Sequence, residues 1–318
     1  MLPYSFFFGR RKMKKILVVG IILLLLGSSI PTMAQPQKNP QPLFHTLYVG
    51  GSGPGNYTRI QDAINASVNG DTVFVFDDLS PYQENVRIDK SITVIGENQQ
   101  TTKIISPTYW DSTVVIHTRT SNVTVSGFSI DGGRDGYIGI AVGNLARDIL
   151  IKNNTITNEC VGINIAGGGT QAKSSHIEVR GNTIKNGLEG IYIYAGDYIN
   201  IISNSIANFS EYGIYDAGET CFQNNIIALC KVGLFIDFPY ASIVINNDFR
   251  LNEVNAFFDR EALEYHIWFH NYWGRPRIMP KAIFGILELH LSPWGPPIPA
   301  VNFDIRPALI PNNRWLGI

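Results

Sequence analysis

The chain has 318 residues, 45% of them hydrophobic and only 16% charged, with 30 Gly, 17 Pro and 14 Tyr. A disordered protein or one that coats nucleic acid needs more charge of one sign and fewer apolar residues, so these classes are excluded. The formal net charge is −1, but Arg10, Arg11, Lys12, Lys14 and Lys15 lie in an opening segment without acidic residues; the remainder carries 20 basic against 26 acidic side chains and is near −6. Such a surface attracts no phosphate backbone.

The first predicted element is a secretory signal peptide over residues 1–34. Its basic start is followed by the apolar run Ile16 to Gly27 and by small residues ending at Ala34, where cleavage is expected. Met13-Lys14-Lys15 is a more ordinary signal start than Met1. The apolar run is short of the roughly 20 residues that span a bilayer, and no later segment is apolar enough to cross one. Residues 35–44, rich in Pro and Gln, form a polar linker. The mature chain is therefore expected to be secreted or held at the cell surface.

Thr58 and Gln61 form a capping-box pattern, and Ile60, Ala63, Ile64 and Val68 recur at helical spacing. A short helix over 59–68 is predicted, covering the open end of a stack of strands. Alternating runs at Asp71–Phe76, Asn85–Ile88, Ile92–Gly96, Lys103–Ile105 and Thr113–Ile116 read as the first of those strands.

From residue 123 the sequence repeats itself. Val123 to Ile130, Ile149 to Ile156, Ile177 to Ile184 and Ile199 to Ile206 are each followed by Gly-Ile, at Gly139, Gly162, Gly190 and Gly213; weaker units end at Gly233-Leu234 and Ala256. Asn154, Asn182, Asn204, Asn225 and Asn247 recur at spacings of 28, 22, 21 and 22. The extra length in the first interval falls in Ala166 to Gln171, expected to bulge as a loop. A chain that returns every 21 or 22 residues with period-two apolar alternation stacks its strands in parallel as a solenoid. The prediction is an all-β parallel β-helix over 45–260. Ile130, Ile156, Ile184, Ile206, Ile227 and Phe249 form one inner column, and Ile140, Ile163, Ile191, Ile214 and Leu234 another. The asparagines form a ladder at the bends, where Asn tolerates a left-handed backbone.

Trp268, Trp273, Trp294 and Trp315 and a dense run of prolines mark residues 261–318, predicted as an irregular C-terminal cap because proline cannot sit in a central strand. The three cysteines, Cys160, Cys221 and Cys230, make no disulfide framework; buried thiols are the favoured reading, with a Cys221–Cys230 bridge the alternative.

Two residues past each repeat glycine lie Ala141, Asn164, Tyr192, Tyr215, Phe235 and, by extension, Phe257. This outward column predicts a ligand-binding strip at Asn164, Tyr192, Tyr215 and Phe235, with rings stacking on sugars, unless the Trp- and Pro-rich tail covers it. Candidates for catalysis are fewer. Lys152 and Arg180 take equivalent outward positions with Glu178 beside them, as a proton abstractor would require, and Asp131 and Asp135 flank a corner loop. Asp216 and Asp237 follow outward aromatics one coil apart.

The segments Tyr57 to Ile64, Gly70-Asp71-Thr72-Val73, Tyr82 to Ile92, Ile95-Gly96-Glu97-Asn98, the Asn-Asn-Thr-Ile and Gly-Ile-x-Ile coils and Asn271-Tyr272-Trp273-Gly274 resemble NosD-like proteins. These are right-handed parallel β-helices of the pectin-lyase-like superfamily, related to the carbohydrate-binding and sugar-hydrolase (CASH) domain. The tail from Arg275 to Asp304 resembles those of archaeal cell-surface members.

The resemblance implies the fold strongly and three functions weakly. The first is a non-enzymatic envelope protein that binds glycans or is structural, with polysaccharide or envelope components as partners and no nucleic acid. The second is a polysaccharide lyase, hydrolase or epimerase, although the Asp-Pro-His-Asp signature of alginate-epimerase relatives is missing from the sequence. The third is a copper-maturation accessory, which requires clustered soft ligands. The chain has four Met, six scattered His and no Cys-x-x-Cys; His266 and His270 share a face only if 262–270 is helical. Neither copper nor Ca²⁺ is supported, and no cofactor is expected.

Overall fold

Period-two alternation commits each unit to strands, and the repeat length commits successive strands to lie on one another. The computed structural model describes residues 44–108, 111–166, 172–237, 241–260, 266–287 and 298–312, with side chains at 133–136, 260, 287 and 298 outside that description. By its contacts the chain divides after Leu43, and every described residue belongs to the second unit, Phe44–Ile318. The predicted signal peptide and nearly all of the predicted linker thus lie outside the described residues, as does the loop expected at 166–171 apart from Ala166.

The second unit is an all-β solenoid of about ten turns. Three parallel sheets wrap it. The first runs from Thr46–Val49 to Ile267–Phe269, the second from Tyr82–Gln83 to Asp248–Arg250, and the third from Val86–Ile88 to Lys281–Leu287. The long strands Thr155–Ile165, Thr183–Ile193 and Ser205–Asp216 each turn the corner from the second sheet to the third.

Both predicted inner columns form in register. Ile130, Ile156, Ile184, Ile206, Ile227 and Phe249 are successive partners, all fully buried. Ile140, Ile163, Ile191, Ile214 and Leu234 do the same on the third sheet. The glycine that opens each Gly-Ile pair is required by close approach: a Cβ on Gly162 would meet Ile184 Cγ2 at 2.5 Å and the Gly190 carbonyl at 2.6 Å.

The asparagines form a one-way ladder. The backbone N–H and Nδ2 of Asn182 both donate to Asn204 Oδ1 at 3.0 Å, and the same pair of bonds links Asn154 to Asn182, Asn204 to Asn225 and Asn225 to Asn247. The ladder takes one further rung, Asn271, and ends on the buried carboxylate of Asp304, whose Oδ2 accepts from Asn271 N, Asn271 Nδ2 and Trp273 Nε1 at 2.9, 3.1 and 3.0 Å. All the amide dipoles point the same way, and a negative charge meets their donor end.

Left-handed backbone falls one residue earlier than expected. It is Asn153, Gly181, Ser203, Asn224, Asn246 and His270 that have positive φ, between 51° and 64°. The ladder residues need their N–H aimed along the solenoid axis, so the bend is made by the residue before.

At the N-terminal end, helix α1 spans Ile60–Ala66, slightly shorter than predicted. The expected capping box is absent: the N-cap is Arg59, with no side-chain cap bond. Buried Glu84 from the next coil accepts instead from the Ile60 and Gln61 amides at 2.9 and 3.1 Å, and Lys90 Nζ donates to the carbonyls of Ile64, Asn65 and Ser67 at the other end. Gln61 presents its side-chain amide to both backbone groups of Arg87, as a missing strand would. That closes part of an otherwise open sheet edge.

At the other end the coils do not stop at Arg260. Ile267–Phe269 stacks in parallel on Ile243–Ile245, and Lys281–Leu287 on the strand Val254–Arg260. The prolines are tolerated because Pro276 and Pro280 fall between strands, while Pro299 lies on Ile298–Asp304, which pairs antiparallel with Lys281–Leu287 as the last strand of the described sheet. Cys160, Cys221 and Cys230 are separate free thiols.

Candidate functional site

The outward face of the third sheet carries the aromatic column. Asn164, Tyr192, Tyr215, Phe235 and Phe257 are successive register partners, each neither buried nor fully exposed. Phe284 comes next, one residue before Gly285, the partner of Phe258, and is 62% exposed. The described tail continues this face as a further coil. The alternative expectation, that it lies over the column, does not hold for the described residues.

Ring orientation departs from the expectation that each ring stacks on a sugar. Tyr192 and Tyr215 stack on each other at 4.5 Å with planes 9° apart; Tyr212 stacks on Phe235 and Phe235 on Phe257. Faces that point along the solenoid axis meet the next coil's ring, so the patch offers solvent its ring edges and phenol hydroxyls.

Carboxylates border this patch. Asp237 accepts a short hydrogen bond from the Tyr215 hydroxyl. Glu189 pairs in register with Tyr212, and Glu211 precedes Tyr212 in the chain. Burial, and then the charge of Glu211, push the Glu189 carboxyl up to about 7. Burial first, then these acids, also raise the Tyr192 and Tyr212 phenols, and burial with the Asp237 bond raises Tyr215. On the same strand as Asn164, Glu159 is 3% exposed; burial lifts it to about 7 against a 3.3 Å bond from Thr113 Oγ1. The Oδ1 of Asn164, beside Tyr192, is buried without a hydrogen-bond partner among the described residues.

Glu189, Glu211 and Tyr212 were not among the residues singled out from the sequence. They sit one or two places before the repeat glycines Gly190 and Gly213, so counting backward from each glycine as well as forward would have found them.

The structure distributes the other candidates over different faces. Lys152 and Arg180 are register partners on the first sheet, where Arg180 Nε pairs with Glu178 Oε1 at 2.6 Å on an exposed surface. Asp131, on the second sheet, is held by Lys103 Nζ at 2.6 Å and by Asn158 Nδ2 at 3.0 Å. An ion-paired carboxylate in that setting is a poor general acid or base. The side chain of Asp135 lies outside the described residues. Asp216 points inward, in register with Ile193 and Ile236, and is fully buried.

The two histidines are not brought together. His266 and His270 flank a strand, Ile267–Phe269, where a helix was needed; extended chain puts them about 13 Å apart. His266 is buried against Phe258, and His270 Nδ1 bonds Asn246 Oδ1 at 3.0 Å. Among the described residues, no three His, Cys, Asp or Glu side chains are grouped to hold a metal ion. Among the same residues no helix is long and apolar enough to cross a membrane.

The profile of a family described as "Periplasmic copper-binding protein (NosD)" matches residues 64–285. A cell surface glycoprotein of Methanothermus fervidus is 27% identical over 256 residues, which cover 61% of this chain and 42% of that glycoprotein's length. Among solved structures, ORF18 of Geobacillus virus E2 is similar with a TM-score of 0.45 and 14% identity, covering 72% of this chain and 57% of that one. The catalytic domain of a GH87 α-1,3-glucanase in complex with tetrasaccharides gives a TM-score of 0.41 and 13% identity, covering 75% and 60%.

Proposed function

The chain belongs to the NosD family, and from that premise we propose that it is an exported β-helix protein of the cell envelope whose third sheet binds glycan. The location is supported by the family's periplasmic description and by the name of the Methanothermus glycoprotein. The observation that carries the binding reading is the half-exposed strip of Tyr192, Tyr212, Tyr215 and Phe235 edged by Glu189, Glu211 and Asp237. Apolar ring edges beside hydroxyl and carboxyl groups offer what a sugar presents in return, C–H patches and hydroxyls. Recognition on this strip is by hydrogen bonds along its edge, since the ring faces are occupied by one another.

A second reading, hydrolysis, is favoured by one feature. Burial and the neighbouring Glu211 push the Glu189 carboxyl up to about 7, the range in which a carboxyl can give up and take back a proton near neutral pH as a general acid must. One experiment separates the two: a glycan array read together with reducing-end release, on the wild type and on Glu189→Gln. Binding without product, weakened about fivefold or more by the substitution, supports the binding reading. Release of reducing ends that Glu189→Gln abolishes supports hydrolysis. An array without any bound glycan overturns both.

A further inference from the structure

We propose that the C-terminal end of the solenoid is a docking surface for an anionic membrane, entered by two apolar loop tips and held by Arg275, Arg277, Lys281 and Arg306. One tip is Ile278-Met279, exposed by 90% and 74%; the other is Ile305 with Leu309 and Ile310, exposed by 68%, 55% and 54%. Arg277, Ile278, Ile305, Arg306, Leu309 and Ile310 line a single groove, so the two loops stand side by side. Isolated exposed apolar residues are ordinary, but five on adjoining loop tips are not.

The exposed charge around them is cationic; the carboxylate next to the second tip, Asp304, is fully buried and accepts from the Arg306 amide at 3.2 Å. Among the described residues, none of the four cations pairs with a carboxylate. Three of them share one field: burial and then Arg277 and Arg275 hold the Lys281 ammonium below its ordinary value. The chain beyond its leader is acidic, so this concentration runs against the rest of the surface. Apolar tips rimmed by Arg and Lys suit a bilayer interface, where the tips pass below the headgroups and the long cationic side chains reach back to lipid phosphates.

Proline favours lipid over a protein strand as the occupant. Pro276 and Pro280 bracket one tip, and Pro307 and Pro311 lie in the other loop. Each removes a backbone donor that strand addition would use and stiffens a loop that presents side chains.

The test places an environment-sensitive dye on the full chain at Met279→Cys and, for comparison, at Lys185→Cys, an exposed position on the second sheet. Labelling of the native cysteines is measured on the unsubstituted chain and subtracted. Vesicles of equimolar phosphatidylglycerol and phosphatidylcholine are expected to shift emission at 279 to the blue, with little change at 185 and a response lost at high salt. Arg277→Gln with Arg306→Gln should weaken the response at least tenfold while leaving the melting temperature in place. No shift at 279, or equal shifts at both positions, overturns the proposal, the second because the apolar leader would then be adsorbing the whole chain. An equal shift with soluble polyglutamate and no lipid also overturns it, in favour of an acidic protein partner.

Discussion

The inner asparagine ladder and the outer aromatic column are built by the same repeat, at the same spacing, on neighbouring parts of each coil. Inside, each of the asparagines from Asn154 to Asn271 hands two donors to an acceptor in the next coil, and the last pair ends on Asp304. Outside, the rings satisfy one another but leave edges in solvent, a carboxyl at about 7 and an Asn164 oxygen without a partner among the described residues. A solenoid stacks whatever residue type its repeat supplies. Columns whose polar groups are all answered by the next coil are structural, and the unanswered ones are where ligand chemistry is left.

The largest expected effect comes from breaking the inner wall outright. Ile184 is fully buried between Ile156 and Ile206. Ile184→Asp places an unpaired carboxylate there, at a cost of several kcal/mol or more, comparable with the roughly 5–15 kcal/mol that holds a domain together. The variant should show no cooperative thermal transition by circular dichroism. A melting temperature near that of the wild type would mean that the column is not the core.

A smaller effect sharpens the contrast between inside and outside. Asn204→Ala leaves the backbone N–H and Nδ2 of Asn182 without their acceptor and the Val179 carbonyl without the Asn204 donor, which predicts a loss of about 2–4 kcal/mol in denaturant unfolding. Tyr192→Ala removes a half-exposed ring from a stack with Tyr215 and should cost about 1 kcal/mol. Equal costs at the two sites would erase the distinction drawn between the columns.

The columns were legible because stacking depends on the repeat alone, and period two assigns inside and outside without knowledge of neighbours. What escaped the sequence depends on partners brought from other coils. Glu84 caps a helix 23 and 24 residues away from it, where a capping box would look within one turn. Asp304 ends a ladder whose last rung, Asn271, is 33 residues distant. Glu211 lies where the register shifts between the long strands, beside the pairing of Glu189 with Tyr212, so its neighbour in the adjacent coil is set by that irregularity and not by the repeat. Ring orientation was hidden for another reason: the spacing places Tyr192 over Tyr215 but says nothing of which way their faces turn. The His266 and His270 pairing failed because a four-residue interval brings side chains together on a helix and separates them on a strand.

Asp216 offers the finest test, since it is an acid on the inner wall where its register partners are Ile193 and Ile236. It is tolerated because three donors meet it, the Gly218 amide at 3.1 Å, Thr220 Oγ1 at 2.7 Å and Ser242 Oγ at 2.9 Å. Burial nonetheless outweighs them and pushes its carboxyl up to about 7 from an ordinary value of 3.8. A group whose folded pKa is raised holds its proton in the native state after the unfolded chain has lost it. Stability from this site is therefore fully present below about pH 4 and declines as pH rises toward 7. Asp216→Asn removes the ionisation while the two hydroxyls can turn to accept from the new amide; the loss of the amide-facing oxygen's charge offsets part of the gain. The expected result is a net change of about 1–2 kcal/mol at pH 7 and a flatter stability profile between pH 4 and 7, measured by urea unfolding across that range. Glu159 and Glu189 slope in the same direction and remain in the variant, so the profile flattens without becoming level. A profile as steep as that of the wild type would show that Asp216 is ionised in the native state throughout, and that its three donors outweigh the burial.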